Sequence, residues 1–516
     1  MSRYKQMPLE PSQLMLYGQS VEDAVPKDCD VRAYRDVTEW LDYSSLEAKS
    51  CERGCPPYPP EVMVRVLGYA YAKGIRSSRK IEQHLNYDVR FIWLAGGLKP
   101  DHNTIARFRK DNWQEFKNLF GQSARLCCEF GLVSLNVVST DGSKIRAAAS
   151  KKQMYDNDRV EREMAAVEMI LQEAEQADRL EDEQDGCTTN DKLPEHLQDA
   201  KERKAKLQQI AQQLATGESK RVVGSEAESR AMETGDGIRP AYNLQASVDA
   251  DNQVIVAMDL IQAENDYGQL PSMSDELERV TGMSADTMLA DGGYVDEETL
   301  RWTDSCKSNV LMPVSRHWRE SRRDANDLFA NRCFITDDER DVLICPAGRE
   351  LTFRGQYRTR TGSYRHYQAC NCQSCSLQSQ CVGAGRRSRQ VCLSIVEPQR
   401  KKMREKLKSA DAKKLYELRK QTVEPVFGQI KSNLGMSRFL LYGLKGAKAE
   451  AALMCMVHNM LKCMTSSAAM TYVTSINARA FIANFAYGIQ LAFIATTMRL
   501  HDNHIRKPWR LSETAW

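Results

Sequence analysis

Apolar residues recur along the chain with two different periods, and the switches between them set out the order of elements. Residues 1 to about 57 carry no clear pattern. The cluster Pro56-Pro57-Tyr58-Pro59-Pro60 then favours extended backbone. A helix is expected from Glu61, with Val62, Val66, Leu67 and Tyr69 to Ala72 on its apolar side, ending at Lys73-Gly74. Ser77 or Ser78 caps a second helix through Ile81 and Leu85. After the loop Gly96 to Asn103, either Asn103 or Thr104 caps a third, Ile105 to Lys110. The β-branched run Val137-Val138-Ser139-Thr140 then leads straight into Asp141-Gly142, which reads as a strand closing in a turn.

Helical spacing returns from about Asp156 to Thr216. Val160, Met164, Val167, Ile170 and Leu171 form one stripe, and Leu207, Ile210, Ala211 and Leu214 another. Two long helices folding back as an αα-hairpin, inserted after the first strand, account for both. Tyr242 to Asp249 and Gln253 to Leu260 are strands joined by a turn at Asp251-Asn252. Leu270 to Val280 is a helix, Thr287 to Tyr294 a strand ending in Asp-Gly, Val295 to Cys306 a helix and Asn309 to Val314 a strand. From Ser315 to Ser394 the pattern weakens, and Ala447 to Cys463 closes the readable part as a strongly apolar helix. Strands alternating with helices around one sheet make an α/β fold.

At 516 residues, 42% of them hydrophobic and 27% charged, the chain can bury sizeable cores in two to four domains. A net charge of +3 means that any nucleic-acid surface is local. Arg76, Arg79, Lys80, Arg107 and Arg109 sit on the short N-terminal helices, and the stretch from Arg386 to Lys420 is the most basic of all. Short basic helices fit the DNA major groove, and they equally fit a small bundle with a solvated basic face. Met1 to Glu10 has no apolar region of the secretory kind. Ala480 to Thr497 is apolar, but Asn484, Gly488 and Gln490 make it a buried or partner-facing helix rather than a membrane span. Sixteen cysteines suggest reduced thiols or metal ligands.

Asp141, Asp291 and Glu424 stand apart by position: two at strand ends, one in a basic helical stretch. Carboxylates so placed suit hard divalent cations. A pair of such ions about 3.5–4 Å apart serves phosphodiester cleavage. If a helix runs through Glu424, it shares a face with Lys420, Phe427, Gly428 and Lys431. Pro425 places it at a helix start or a kink. Taken one at a time, Asp141 reads as a turn residue and Glu424 as a surface glutamate.

Together, Asp-Gly-Ser-Lys at 141–144, Leu-Ala-Asp-Gly-Gly-Tyr at 289–294 and Glu-Pro-Val-Phe-Gly-Gln-Ile-Lys at 424–431 resemble the three signature blocks of DDE transposases of bacterial insertion sequences. Pro-Asp-His-Asn-Thr-Ile-Ala-Arg-Phe-Arg at 100–109 is similar to that family's N-terminal DNA-binding domain, and the resemblance runs from about 58 to 463. It implies an RNase H-like mixed sheet flanked by helices in a catalytic domain over 131–463. That domain is interrupted by a helical-hairpin insertion at about 151–240 and a Cys-rich insertion at about 315–395. An all-helical DNA-binding domain over 1–130 precedes it, and the tail 464–516 is unassigned. Asp141, Asp291 and Glu424 are implied as the catalytic trio, holding Mg²⁺ or Mn²⁺, two ions in all. Arg76, Arg79, Lys80, Arg107, Arg109, Tyr416, Arg419, Lys420 and Lys431 are the implied DNA contacts. Arg419 stands one residue further from Glu424 than the family's spacing and Lys420 stands at it, so either fills that role.

The implied activity is metal-dependent cleavage and strand transfer on double-stranded DNA, at terminal inverted repeats and at a target. The alternative is a catalytically silent, domesticated DNA-binding regulator with the same fold. A homodimer at synapsis, with the arm 156–216 as candidate contact surface, a bacterial cytoplasmic location and no membrane partner complete the expectation. Similar transposases place cysteines near Cys345, Cys372, Cys375 and Cys381, which makes these four the candidate ligands of a structural Zn²⁺; free thiols are the alternative.

Overall fold

A computed structural model describes residues 20–48, 57–185, 195–217, 220–314, 329–330, 333–337, 339–359, 362–382 and 386–465. The apolar stretch Ala480 to Thr497, and the tail beyond 465, lie outside the described residues. The fold is mixed α/β around a six-stranded sheet. Its strands are β1 (Val137–Arg146), β2 (Arg230–Thr234), β3 (Gly237–Asp249), β4 (Ile255–Ile261), β5 (Thr287–Ala290) and β6 (Asn309–Leu311). They lie in the order β2-β3-β1-β5-β6, with β4 also paired to β3. β1 runs antiparallel to β3 and parallel to β5, and β5 runs parallel to β6. Thr140 stands opposite Ala290, so Asp141 and Asp291 follow at one level on neighbouring strands.

Asp141 does not close its strand. β1 continues to Arg146 against β3, and it is β5 that stops at Ala290. Asp141 therefore sits where one of its two neighbouring strands ends. Gly142 is a strand residue with Gln245 opposite.

The helix Gly443–Thr465 is the most deeply buried element, with Ala451 to Met460 almost wholly enclosed. It is apolar on all sides because it packs against β4 and against helices Asp30–Thr38, Pro60–Ala72 and Trp113–Glu129. One apolar cluster thus runs from Val25 through the sheet to Cys463. Tyr34, Tyr69, Tyr71, Phe116 and Phe120 are fully buried in it, each large apolar side chain contributing about 1.5–3 kcal/mol. The N-terminal helices are fused to the sheet through this shared core.

Between β1 and β2 lies an αα-hairpin of Asn157–Asp185 and Glu195–Ala215, closed by Val160, Val167, Leu207, Ile210 and Leu214. Met154–Tyr155 pairs with Val222–Val223 at its base. The main sheet resumes with β2 at Arg230, before the expected boundary near 240.

The weakly patterned stretch after Ser315 contains a second antiparallel sheet. Its strands are β7 (Ile335–Asp337), β8 (Val342–Ile344), β9 (Glu350–Thr359), β10 (Gly362–Ala369) and β11 (Gln390–Ser394), ordered β11-β10-β9-β8-β7. A small core of Phe334, Leu343, Leu351, Tyr367, Ala369, Cys372 and Val391 holds it. A bulge between Phe353 and Gly355 shifts the alternation midway along β9, which hides its period of two. Two other details differ from expectation. Asp101 caps the third helix, its carboxylate accepting the Thr104 N–H. A 3-10 turn, Gly292–Tyr294, delays the next helix to Glu297–Trp302. Among the described residues no helix is long and apolar enough to cross a membrane.

Candidate active site

Two aspartates and one arginine form the centre. Asp141 Oδ1 accepts the Gly142 N–H at 2.8 Å, and its Oδ2 accepts from Arg419 at 2.9 Å. Asp291 caps the 3-10 turn after β5, its Oδ1 accepting the Gly293 N–H at 2.7 Å. Arg419 comes from the helix Ala410–Gly428, which packs across β1 and β5 and buries Ala412, Arg419, Thr422, Val423, Val426 and Phe427. Arg419 is 9% exposed, so the ion pair is shielded from solvent.

Burial pushes the Asp141 carboxyl up from the ordinary carboxylate value; Arg419 pulls it back only in part, and Asp291 adds to the rise. Burial works against the charge on Arg419, but Asp141 and Tyr416 more than offset it and hold the guanidinium protonated. Tyr416, one turn earlier, bonds to Arg419; burial raises its hydroxyl, and Asp291 and Asp141 nearby raise it further. Of the two candidates for the arginine position, Arg419 is the one that reaches Asp141, and Lys420 is exposed on the outer side of the helix.

Glu424 lies five residues beyond Arg419, about 140° further around the helix, and is exposed. The helix runs straight through Pro425, so Glu424 is not at a helix start. Proline leaves the Gln421 carbonyl without its helical donor, and the Gln253 amide supplies one at 3.0 Å. Beyond Gly428 the helix widens into a π-turn, Gln429–Asn433, that carries half-buried Lys431, whose ammonium pKa is lowered by burial. Asp141 and Asp291 are thus brought together and Glu424 stays apart. Among the described residues no group of three or more His, Cys, Asp or Glu side chains is arranged to hold a metal ion.

Two assigned DNA contacts are corrected. Arg76 and Arg109 are 6% and 2% exposed. Both bond to Glu450, which is fully buried, and Arg109 also bonds to Tyr71 and Ser78. They join the N-terminal helices to the buried C-terminal one and present nothing to DNA. Arg79, Lys80 and Arg107 are exposed. In the second sheet Cys345, Cys372, Cys375 and Cys381 line one small cavity with Phe329, Leu351 and Val382. The sulfur of Cys345 accepts the Arg349 N–H at 3.3 Å and that of Cys372 the Arg389 N–H at 3.4 Å.

Sequence reasoning missed a polar layer under the aspartates. Asn243, Gln245, Ser247 and Asp249 alternate along β3 and are almost completely buried. Polar side chains at period two within a wholly enclosed strand are the signal that could have found them.

Two family models match the chain. One, described as Transposase DDE domain, covers residues 344–464 and so includes the four cysteines, Tyr416, Arg419, Glu424 and the buried C-terminal helix. The other, Transposase domain (DUF772), covers residues 19–111, the N-terminal helices. No curated protein and no solved structure matches the chain. The transposase families indicate a function in transposition. With a transposase domain at each end of the described chain, the two matches support its recognition as a DDE transposase of an insertion sequence.

Proposed function

We propose that the chain cuts and rejoins DNA at the ends of an insertion sequence, with Asp141, Asp291 and Glu424 as its catalytic carboxylates and Mg²⁺ or Mn²⁺ as their ions. The observation that carries this reading is the placing of Asp141 and Asp291 at one level, Asp291 just past the end of the strand that runs parallel to that of Asp141, with Arg419 bonded to Asp141. The strand order β4-β3-β1-β5-β6, with only β3 antiparallel to the central β1 and β5, supports an RNase H-like core.

The two aspartates suit such ions, since hard divalent cations take carboxylate oxygens, and a buried aspartate with another beside it is relieved by positive charge. Two such ions, when bound, activate the attacking oxygen and steady the leaving oxygen of a phosphodiester. Asp141 and Asp291 hold that charge at a fixed place. Arg419, bonded to Asp141, holds that carboxylate in place, and Tyr416 bonds Arg419 in turn; DNA contact by either would have to be made from this buried position. Glu424, exposed five residues beyond Arg419 on the same helix, would be the third carboxylate of the donor set. Lys420, one turn before it on the same outer face, meets the DNA backbone there. Exposed Arg79, Lys80 and Arg107 extend the track. Synapsis of two ends takes two copies, joined through the αα-hairpin, where Met169 and Ile170 are exposed. Cys345, Cys372, Cys375 and Cys381 would be the ligands of a structural Zn²⁺, which would tie together a sheet with little apolar core.

The test is cleavage of terminal-repeat DNA with Mg²⁺ or Mn²⁺ by wild type and Asp141→Asn. Cleavage by wild type alone, with equal binding, supports the assignment. Equal cutting overturns it, and binding without cutting by both favours the silent regulator.

A further inference from the structure

Asp266 belongs to none of the signature blocks, yet the strand at Gly142 and the turn at Gly293 both pack against it. A Cβ added at Gly142 would lie 2.3 Å from Asp266 Oδ1, 2.4 Å from Gln245 Nε2 and 2.9 Å from Asn243 Oδ1. A Cβ added at Gly293 would lie 2.8 Å from Asp291 Oδ1 and 3.6 Å from Asp266 Oδ2. Asp266 thus turns one oxygen toward the residue after Asp141 and the other toward the turn that Asp291 caps. Only glycine leaves room for this at 142.

Its place is fixed by amides. Asp266 Oδ1 accepts from Gln245 at 2.6 Å and from Asn243 at 2.8 Å, and the Tyr294 hydroxyl donates to the carbonyl oxygen of Gln245. Tyr294 faces all three aspartates; burial first, then Asp266, Asp141 and Asp291, raises its hydroxyl. Asn243 is 1% exposed, and its Oδ1 has no hydrogen-bond partner among the described residues. An acceptor left without a donor, buried beside a carboxylate, is costly unless a cation or water meets it.

We propose that Asp266 is a fourth carboxylate of the site, a positioning residue that holds the Asn243–Gln245–Tyr294 layer beneath Asp141 and Asp291 and supplies negative charge for their divalent ions. The inference rests on the metal-dependent reading above. A group in that place acts through the ligands it supports, as outer-shell partners of metal sites do.

The experiment uses the full chain and Mn²⁺ as probe. Mn²⁺ affinity is read from the electron paramagnetic resonance of free Mn²⁺, and terminal-repeat cleavage is followed across a Mn²⁺ titration. Wild type, Asp266→Asn, Asp266→Ala and Asp141→Asn are compared, with DNA binding measured for each. Asp266→Asn keeps the acceptor oxygen and removes the charge, so it remains informative if Asp266→Ala does not fold. Both Asp266 variants are expected to bind DNA as wild type does, with Mn²⁺ affinity and cleavage rate each lower by about 10- to 100-fold. An unchanged Mn²⁺ affinity or an unchanged rate in Asp266→Asn overturns the inference. If Asp141→Asn is dead while Asp266→Asn matches wild type, this inference alone falls. If Asp141→Asn cuts normally, the catalytic reading falls with it.

Discussion

Arg109→Met distinguishes a structural arginine from a DNA-reading one. The guanidinium donates to Tyr71 Oη at 2.8 Å, the Arg76 carbonyl at 2.9 Å and Ser78 Oγ at 2.6 Å, and stands 3.5 Å from Glu450 Oε1. Methionine fills much of the space but donates nothing, so several buried acceptors lose a partner. Glu450 keeps Arg76 at 3.3 Å and the Leu440 N–H at 2.7 Å, which limits the damage. Breaking one member out of such a buried group costs about 3–5 kcal/mol. Exposed Arg79→Ala is expected within about 0.5 kcal/mol of wild type. Urea unfolding measures both. DNA binding separates them the other way: Arg79→Ala lowers the slope of log affinity against log salt by about one, whereas folded Arg109→Met leaves it unchanged. Replacing Glu450, Arg76 and Arg109 together by leucine and two methionines recovers most of the lost stability, because no unpaired charge remains. The reasoning is refuted if Arg109→Met unfolds within about 1 kcal/mol of wild type and also flattens the salt slope.

Gly142→Ala forces a methyl against Asp266, Gln245 and Asn243, and is expected to cost about 1–3 kcal/mol in urea unfolding and to abolish cleavage; wild-type behaviour in both removes the close-approach argument. Asp141→Asn is expected to be more stable than wild type at neutral pH without divalent ions. Burial raises the folded Asp141 pKa, so wild type loses stability as pH rises out of the ordinary carboxylate range while the amide does not. The advantage vanishes in acid, and thermal melts across pH check it. Purified protein should contain about one zinc per chain, lost with any of Cys345, Cys372, Cys375 or Cys381 replaced by serine; elemental analysis without zinc leaves free thiols.

The main sheet and the αα-hairpin were legible because their periods are unbroken: Val137 to Thr140, Tyr242 to Asp249 and Thr287 to Ala290 each meet one kind of neighbour along their length. The second sheet was not, because the bulge at Phe353 and Gly355 changes faces midway. Asp141 and Asp291, which the structure brings together, share an Asp-Gly pattern, a local signal. Asp266 has no such signal: it lies in a loop, and its bonds reach back more than twenty residues to β3. Arg76 and Arg109 were misplaced for a related reason. Their partner, Glu450, is more than 340 residues away, and a basic helix face looks the same in sequence whether it meets solvent or a buried glutamate. Arg419 and Lys420 are neighbours in sequence, about 100° apart around the helix, one buried and one exposed, so only the packing against β1 chose between them.

The central claim is that Asp141 and Asp291 are the pair on which DNA cleavage depends. Single-turnover cleavage of terminal-repeat DNA with Mg²⁺ or Mn²⁺, alongside binding to the same DNA, tests it for wild type, Asp141→Asn and Asp291→Asn. Each variant should bind like wild type and cut at least about a thousandfold more slowly; a variant that binds and cuts at the wild-type rate contradicts the account.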